Sequence, residues 1–248
     1  MSQIAETRHE AIAARLSRGM TIELAPTAAE FGVSVDTIRR DLRGLEARGI
    51  ARCVRGGALP VLRPGPPAQE RRTGPAQTAI ATAALPLIAD GMVLMIDGGS
   101  TALALAQLLP ALSGALVVTP APAVALAAMA RGIRTNLIGG EMSPQGAIAV
   151  GHGAVAAMSR VSADLALMGV CGLDPDFGLG ADDLHEAEVK RAMIAAASGA
   201  VALAGAATLG RRARHQVAPC DALARIVTDA PPAATRIFAA QPAGIIHA

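Results

Sequence analysis

The chain has 248 residues and a formal net charge of +2, and 52% of its residues are hydrophobic although Trp and Tyr are absent. This length allows one large domain or two unequal ones, and the apolar content excludes a disordered chain. The three cysteines form no CxxC pair and the five histidines show no HExxH spacing. We therefore expect no disulfide framework, metal or cofactor, and a cytoplasmic location.

Positive charge is slightly concentrated at the N-terminal end. Residues 1–60 hold nine Arg and seven acidic residues, whereas the rest of the chain holds 13 bases and 13 acids. Because 21 of the 22 basic residues are Arg, the positions of the arginines are more informative than their number. Residues 98–130 carry no charge, but prolines interrupt them, so we expect no membrane span.

Three short helices are predicted near the N-terminus. Apolar spacing predicts the first over residues 8–19. Pro26 at the first position and Gly32 at the end delimit the second. Ser34 is expected to cap the third by accepting the backbone N–H of Thr37.

The third predicted helix separates apolar from basic positions. Ile38, Leu42 and Leu45 form an apolar stripe, and arginines lie off it. Two short strands, 50–54 and 58–62, follow around a glycine tip at which backbone can approach a phosphate. An amphipathic helix with solvated arginines is the alternative, but cap, stripe and hairpin together favour a winged helix-turn-helix. The residues predicted to bind DNA are Ser34, Thr37, Arg39, Arg40, Arg43, Arg55 and Gly56.

A proline-rich segment divides the chain. Residues 60–76 contain five prolines and two glycines, which predicts a linker over 61–76 between a domain of residues 1–60 and a domain of residues 77–248. Strands are predicted in the second domain at 92–97, 115–119, 135–140, 163–170, 200–205 and 223–229. Helices are predicted at 102–109, 123–130 and 183–197. This alternation predicts an α/β domain with a mainly parallel sheet.

The segment I-D-G-G-S-T, residues 96–101, joins a predicted buried strand to a helix. Free N–H groups at the helix N-terminus, two hydroxyls and permissive glycines can form an anion site. An ordinary strand-to-helix turn explains the same residues, and both interpretations remain open.

Two stretches resemble one protein family. Residues 33–46, V-S-V-D-T-I-R-R-D-L-R-G-L-E, and the following R-G-G-A resemble the N-terminal motif of DeoR-type bacterial transcriptional regulators. Residues 96–101 are similar to the D-x-G-[ST]-T of their sensor domains, and the resemblance continues over almost the whole chain. It implies a sensor fold shared with sugar-phosphate isomerases and a small phosphorylated metabolite as effector.

The resemblance also implies a set of effector-binding residues: Asp97, Gly98, Gly99, Ser100, Thr101, Gly139, Gly140 and Lys190. We expect Asp97 to bind a sugar hydroxyl or to hold the loop through backbone N–H groups. Lys190 has a second interpretation, as a solvated helix partner of Glu186.

The sequence departs from the family pattern at several positions. Arg55 replaces the usual wing His, which keeps a cation. Gly205, Thr208 and Gln77 stand where the family has an acid and two lysines, and Pro120 replaces an Asn. We therefore expect weak effector binding, or a ligand with fewer hydroxyls or less charge.

Taken together, the motifs predict a repressor that binds a double-stranded DNA operator and responds to a small anionic metabolite, as a homodimer or homotetramer. One alternative is an isomerase-like enzyme, with Asp97 and Glu141 as candidate acid–base groups. Another is a regulator that has lost its ligand response.

Overall fold

The computed structural model describes residues 3–17, 20–61 and 73–248. Contacts divide the chain into two units, Met1–Arg63 and Pro64–Ala248. Residues 62–72, most of the predicted linker, lie outside the described residues. The boundaries predicted at residues 60 and 76 therefore stay predictions.

The first unit combines three helices with a small antiparallel sheet. The helices are α1 (Gln3–Ser17), α2 (Leu24–Phe31) and α3 (Val35–Ala47). The strands are β1 (Ile22–Glu23), β2 (Ala51–Val54) and β3 (Gly57–Pro60), in the order β1-β3-β2. The prediction that Pro26 occupies the first position of the second helix was wrong, because α2 begins two residues earlier at Leu24. Gly32 ends α2 in the left-handed conformation, as predicted.

The core of this unit includes the predicted apolar stripe of α3, together with an ion pair. Ile38, Leu42 and Leu45 are fully buried. Asp41 lies among them and accepts a hydrogen bond from Arg8 Nε at 2.6 Å, while its other oxygen is 2.7 Å from His9 Nε2. Burial by itself would raise the pKa of Asp41, but the bonds to Arg8 and His9 outweigh it and leave that pKa lowered. Asp41 thus fastens α1 to α3.

Gly57 is required for the pairing of β1 with β3. A Cβ added at Gly57 would lie 1.9 Å from the backbone oxygen of Ile22, so Gly57→Ala must displace backbone. We expect a loss of about 1–3 kcal/mol in unfolding free energy, measured by urea denaturation of the first unit. Gly44→Ala, in open space on α3, is the matched control and should stabilise by about 0.5–1 kcal/mol. Equal effects of the two changes would contradict the packing described.

The second unit is built on a seven-stranded parallel sheet; a mainly parallel sheet was predicted, but its edge strand at Gly244–His247 was not. Its order is β15-β14-β12-β9-β4-β5-β6, and every neighbouring pair is parallel. These strands are β4 (Val93–Ile96), β5 (Leu116–Thr119), β6 (Arg134–Leu137), β9 (Leu165–Gly169), β12 (Ala200–Ala204), β14 (Arg225–Thr228) and β15 (Gly244–His247). The central strands are buried, which explains their nearly continuous apolar sequence.

Helices and two smaller sheets complete the unit. The helices are α4 (Pro75–Ala84), α5 (Ser100–Leu108), α6 (Pro122–Ala130), α7 (His152–Met158), α8 (Leu184–Ala195) and α9 (Pro232–Thr235). One small sheet pairs β7 (Glu141–Met142) with β8 (Ala149–Val150), and the other contains β10 (Gly172–Asp174), β11 (Gly178–Ala181) and β13 (His215–Ala218). Within the parts of the chain that the structure describes, no helix is long and apolar enough to cross a membrane.

Candidate functional site

The N-terminus of α3 has the predicted cap. Ser34 Oγ accepts the backbone N–H of Thr37 at 3.1 Å and lies 2.9 Å from the Thr37 hydroxyl oxygen. Both hydroxyls therefore make a local hydrogen bond that fixes the first turn. Ser34 is exposed and Thr37 is half-buried, so both remain near the surface of the predicted recognition helix.

The arginines of α3 and the hairpin converge on one cleft. Arg39, Arg43, Arg55 and Gly56 line a space of about 310 Å³ between α3 and the β2–β3 turn. Arg39 also forms an ion pair with Asp36, one turn earlier on the exposed face of α3. Arg40 is exposed beside this cleft-lining group rather than in it. The structure therefore brings four of the seven predicted DNA-binding residues together and leaves Arg40 accessible nearby.

The two tip glycines have different roles. Gly56 lies in the turn with φ of +94° and open space around it, a conformation that glycine adopts without strain. Gly57 is buried against β1, where it packs the sheet, and it also lines the cleft.

A second cavity lies in the α/β unit, where β4 and β9 end. It has a volume of about 70 Å³, and every residue of the predicted segment Asp97–Thr101 lines it. Its other lining residues are Gly146, Ile148, Gly169, Val170, Cys171, Glu186 and Lys190. The crevice beyond the carboxyl ends of parallel strands is where open α/β sheets bind ligands, and the N-terminus of α5 faces it.

Asp97 and Lys190 form a buried ion pair in this cavity. The ammonium of Lys190 donates to Asp97 Oδ2 and, at 3.1 Å, to the carbonyl oxygen of Gly169. Burial would lower the pKa of Lys190, but the facing Asp97 carboxylate, with Cys171 and Glu186 nearby, raises it above its ordinary value. Lys190 is therefore charged at neutral pH. The interpretation of Lys190 as a solvated partner of Glu186 was wrong, since both side chains are buried.

One oxygen of this pair has no partner. Asp97 Oδ2 also accepts the backbone N–H of Gly169 at 2.9 Å, which ties Asp97 to the end of β9. Asp97 Oδ1 is buried and, within the described part of the chain, makes no hydrogen bond. An unsatisfied buried acceptor costs about 1–3 kcal/mol. Asp97 thus brings to the cavity one acceptor atom that has no partner among the described residues.

Glu186 supplies a second carboxylate that the sequence did not reveal. It is 3% exposed and accepts the Ser143 hydroxyl at 2.5 Å. Ser143 begins the β7–β8 loop, in which Ala147 has the unusual φ of +50°. Glu186 therefore secures the loop that carries Gly146 and Ile148 to the cavity.

Two family models match this chain. A DeoR-like helix-turn-helix domain matches residues 8–61, and a DeoR C-terminal sensor domain matches residues 74–230. The chain is 30% identical over 229 residues to the glycerol-3-phosphate regulon repressor of Escherichia coli strain K12, with 91% of both chains covered. The chain belongs to the DeoR family of transcriptional regulators.

Other relatives agree with this assignment. The HTH-type transcriptional regulator GlpR of Haloferax volcanii is 33% identical over 206 residues, with 80% of both chains covered. Among solved structures, ribose 5-phosphate isomerase A of Methanocaldococcus jannaschii matches 54% of this chain and 53% of its own, with 17% identity and a TM-score of 0.40. That weak likeness carries no argument about activity.

Other positions expected from the DeoR pattern lie away from the cavity. Gly139 and Gly140 do not line it. A Cβ at Gly140 would lie 2.6 Å from the Val150 oxygen, which gives this glycine a packing role. The family departures at Gly205, Thr208 and Gln77 are also outside the lining, and Gln77 instead accepts the backbone N–H of Gly74 at the start of α4.

Proposed function

We propose that this DeoR-family regulator represses a metabolic operon by binding operator DNA with α3 and the β2–β3 turn. The observation that carries the proposal is the cleft in which Arg39, Arg43 and Arg55 converge. A helix placed in the major groove presents such side chains to base edges, while a basic hairpin contacts the adjacent backbone. Two named relatives are repressors, one of a glycerol-3-phosphate regulon and one a putative repressor of the aga operon, which supports a carbohydrate-related target.

The operator can be found by selection. Sheared genomic DNA is incubated with the full chain at about physiological salt, and the bound fragments are sequenced. We expect enrichment of a few sites that contain repeated half-sites about one helical turn, or a multiple of it, apart. Retention of all fragments alike, with binding lost as salt rises, would instead indicate nonspecific phosphate contact and contradict the proposal.

We further propose that a small phosphorylated metabolite binds the cavity of the sensor unit and weakens operator binding. The N-terminus of α5 offers backbone N–H groups, and Ser100 and Thr101 offer hydroxyl donors. Thr101→Val should reduce the affinity of such a ligand. Unchanged affinity would place the anion elsewhere.

Regulation, and not catalysis, is the function that the site supports. Glu141, one of the two candidate acid–base groups, is exposed on β7 and does not line the cavity. Asp97, the other, is engaged by Lys190 and the Gly169 N–H. Asp97 and Glu141 therefore do not form an acid–base pair within the cavity.

We propose that the regulator is a homodimer or homotetramer joined through the sensor unit. Leu126 and Met129 on α6 are 68% and 60% exposed, and Leu137 on the adjoining edge strand β6 is 50% exposed. Exposed apolar clusters of this kind are typical of interaction surfaces.

Light scattering tests this assembly. The chain at micromolar concentration should have at least twice the monomer mass, and Leu126→Glu/Met129→Glu should be monomeric. A monomeric unaltered chain would contradict the proposal. A dimer that survives the double change would place the interface away from α6.

A further inference from the structure

The first turn of α3 carries an acidic residue beside the arginines of the cleft. The Asp36 side chain is 79% exposed and forms an ion pair with Arg39, which lies three residues later on the same side of the helix. Arg39 in turn lines the cleft between α3 and the β2–β3 turn. The phosphates of DNA repel a carboxylate at such a position. Asp36 therefore weakens DNA binding unless it has a second role there.

The ion pair restrains one arginine of α3 before any DNA is bound. Arg40 and Arg43, on the same helix, have no ion-pair partner among the residues that the structure describes. An unrestrained arginine loses side-chain freedom when it makes a directional contact, and this loss opposes binding. Because Asp36 already restrains Arg39, Arg39 has less freedom to lose than Arg40 or Arg43.

Arg39 retains enough donors to recognise a base while it is paired. A guanidinium carries five N–H groups in one plane, and Nη1 of Arg39 donates to Asp36 Oδ1. Guanine presents two neighbouring acceptors, N7 and O6, in the major groove, and a planar fork of N–H groups matches them. The paired carboxylate also offsets the charge of Arg39, which reduces the attraction of this side chain to the phosphate backbone. A restrained, charge-compensated arginine is thus better suited to a base edge than to a phosphate.

We propose that Asp36 and Arg39 form a guanine-reading unit in α3. Arg39 donates to N7 and O6 of one guanine in each operator half-site, and Asp36 is the positioning residue that aims the guanidinium. This inference rests on the proposed binding of operator DNA by α3, and it adds the base that the helix recognises. An acidic residue in the first turn also stabilises a helix through its dipole, but that role does not affect the discrimination between bases.

The DNA-side test uses the unaltered full chain and the operator selected from genomic DNA. Each guanine of a half-site is replaced in turn by 7-deazaguanine, which lacks the N7 acceptor and keeps its Watson–Crick pairing. In fluorescence anisotropy we expect at least one replacement to weaken binding by about 5- to 100-fold. An operator that tolerates every replacement would overturn the inference.

Two arginine variants assign the sensitive guanine to a side chain. Arg39→Ala should bind the unmodified and the 7-deazaguanine operators equally well at one such guanine. Arg43→Ala is the matched control, because Arg43 lies one turn later on α3 and lines the same cleft. It should keep the sensitivity at that guanine. If Arg39→Ala keeps the sensitivity at every guanine, another residue makes the contact and the inference is wrong.

Asp36→Ala separates positioning from helix stabilisation, and it should fold because its ion pair lies at the surface. It should reduce the sensitivity to 7-deazaguanine by about 2- to 5-fold. It should nevertheless bind nonspecific DNA more tightly than the unaltered chain, because a negative charge is removed. Weaker binding to all DNA alike would indicate helix stabilisation only and would overturn the positioning role.

The double variant Asp36→Ala/Arg39→Ala completes the test. In the absence of Arg39, the loss of Asp36 should leave the discrimination at the sensitive guanine unchanged. A further change would show that Asp36 contacts a base itself, contrary to the inference. A chain that selects an operator but discriminates bases independently of Arg39 overturns the guanine contact and leaves operator binding intact. A chain that retains all genomic fragments alike overturns the proposed function as well.

Discussion

Lys190→Met is expected to lower the unfolding free energy of the sensor unit by about 3–5 kcal/mol, because it leaves the Asp97 carboxylate buried without its cation. Differential scanning calorimetry or urea unfolding measures the loss, and the transition of the first unit provides an internal control. The double variant Asp97→Asn/Lys190→Met removes both charges and should be less destabilised than Lys190→Met alone. A loss below about 1 kcal/mol for Lys190→Met would contradict a buried ion pair.

The Asp97–Lys190 ion pair also predicts how the stability of the sensor unit changes at alkaline pH. The pKa of Lys190 is raised in the folded chain above its ordinary value of 10.5. Its contribution to stability is therefore fully present below that value and is lost as the pH rises through the folded-state pKa. Lys190→Met should remove this alkaline dependence.

Asp41→Ala is expected to destabilise the winged helix by about 3–5 kcal/mol, since it leaves the Arg8 guanidinium buried without its partner. Asp36→Ala is the matched control on the same helix. Asp36 is exposed and pairs with Arg39 at the surface, so its loss should cost less than about 1 kcal/mol. Similar losses of unfolding free energy for the two changes would show that the Asp41–Arg8 ion pair does not hold α1 against α3.

The ion pair of Asp41 should make the stability of the first unit depend on acidic pH, whereas that of Lys190 makes the stability of the sensor unit depend on alkaline pH. Its pKa is lowered from the ordinary value of 3.8. The stabilisation is present above that value and is lost as the pH falls through the lower, folded-state pKa. Acid unfolding of the first unit should therefore become less steep in Asp41→Ala.

Most of the fold could be predicted because local signals were strong. The cap at Ser34, the stripe in α3 and the apolar runs of the parallel strands all lie where they were predicted. By contrast, α4, α7 and the β10–β11–β13 sheet were not predicted. Their Ala- and Gly-rich sequences show no clear helical or strand period, and their positions depend on packing against distant elements.

The sequence predicted one wall of the cavity, but it did not predict the buried ion pair. The segment from Asp97 to Thr101 was predicted because it follows a strand and opens a helix. The partnership of Asp97 with Lys190 spans 93 residues, and a local helix pattern cannot distinguish a buried lysine from a solvated one. One signal was available in the composition: Lys190 is the single lysine in a chain whose other 21 basic residues are arginines. A compact ammonium that fits a buried site explains this choice.

The central claim is that α3 reads the operator, and Arg40→Ala/Arg43→Ala tests it most directly. Fluorescence anisotropy with the selected operator should show a loss of about 1–3 kcal/mol for each arginine that contacts a base, together with weaker sequence discrimination. The matched control, Arg134→Ala/Arg160→Ala, removes two exposed arginines from the sensor unit and should bind as the unaltered chain does. A folded Arg40→Ala/Arg43→Ala variant with unchanged operator affinity and unchanged salt dependence would contradict the account.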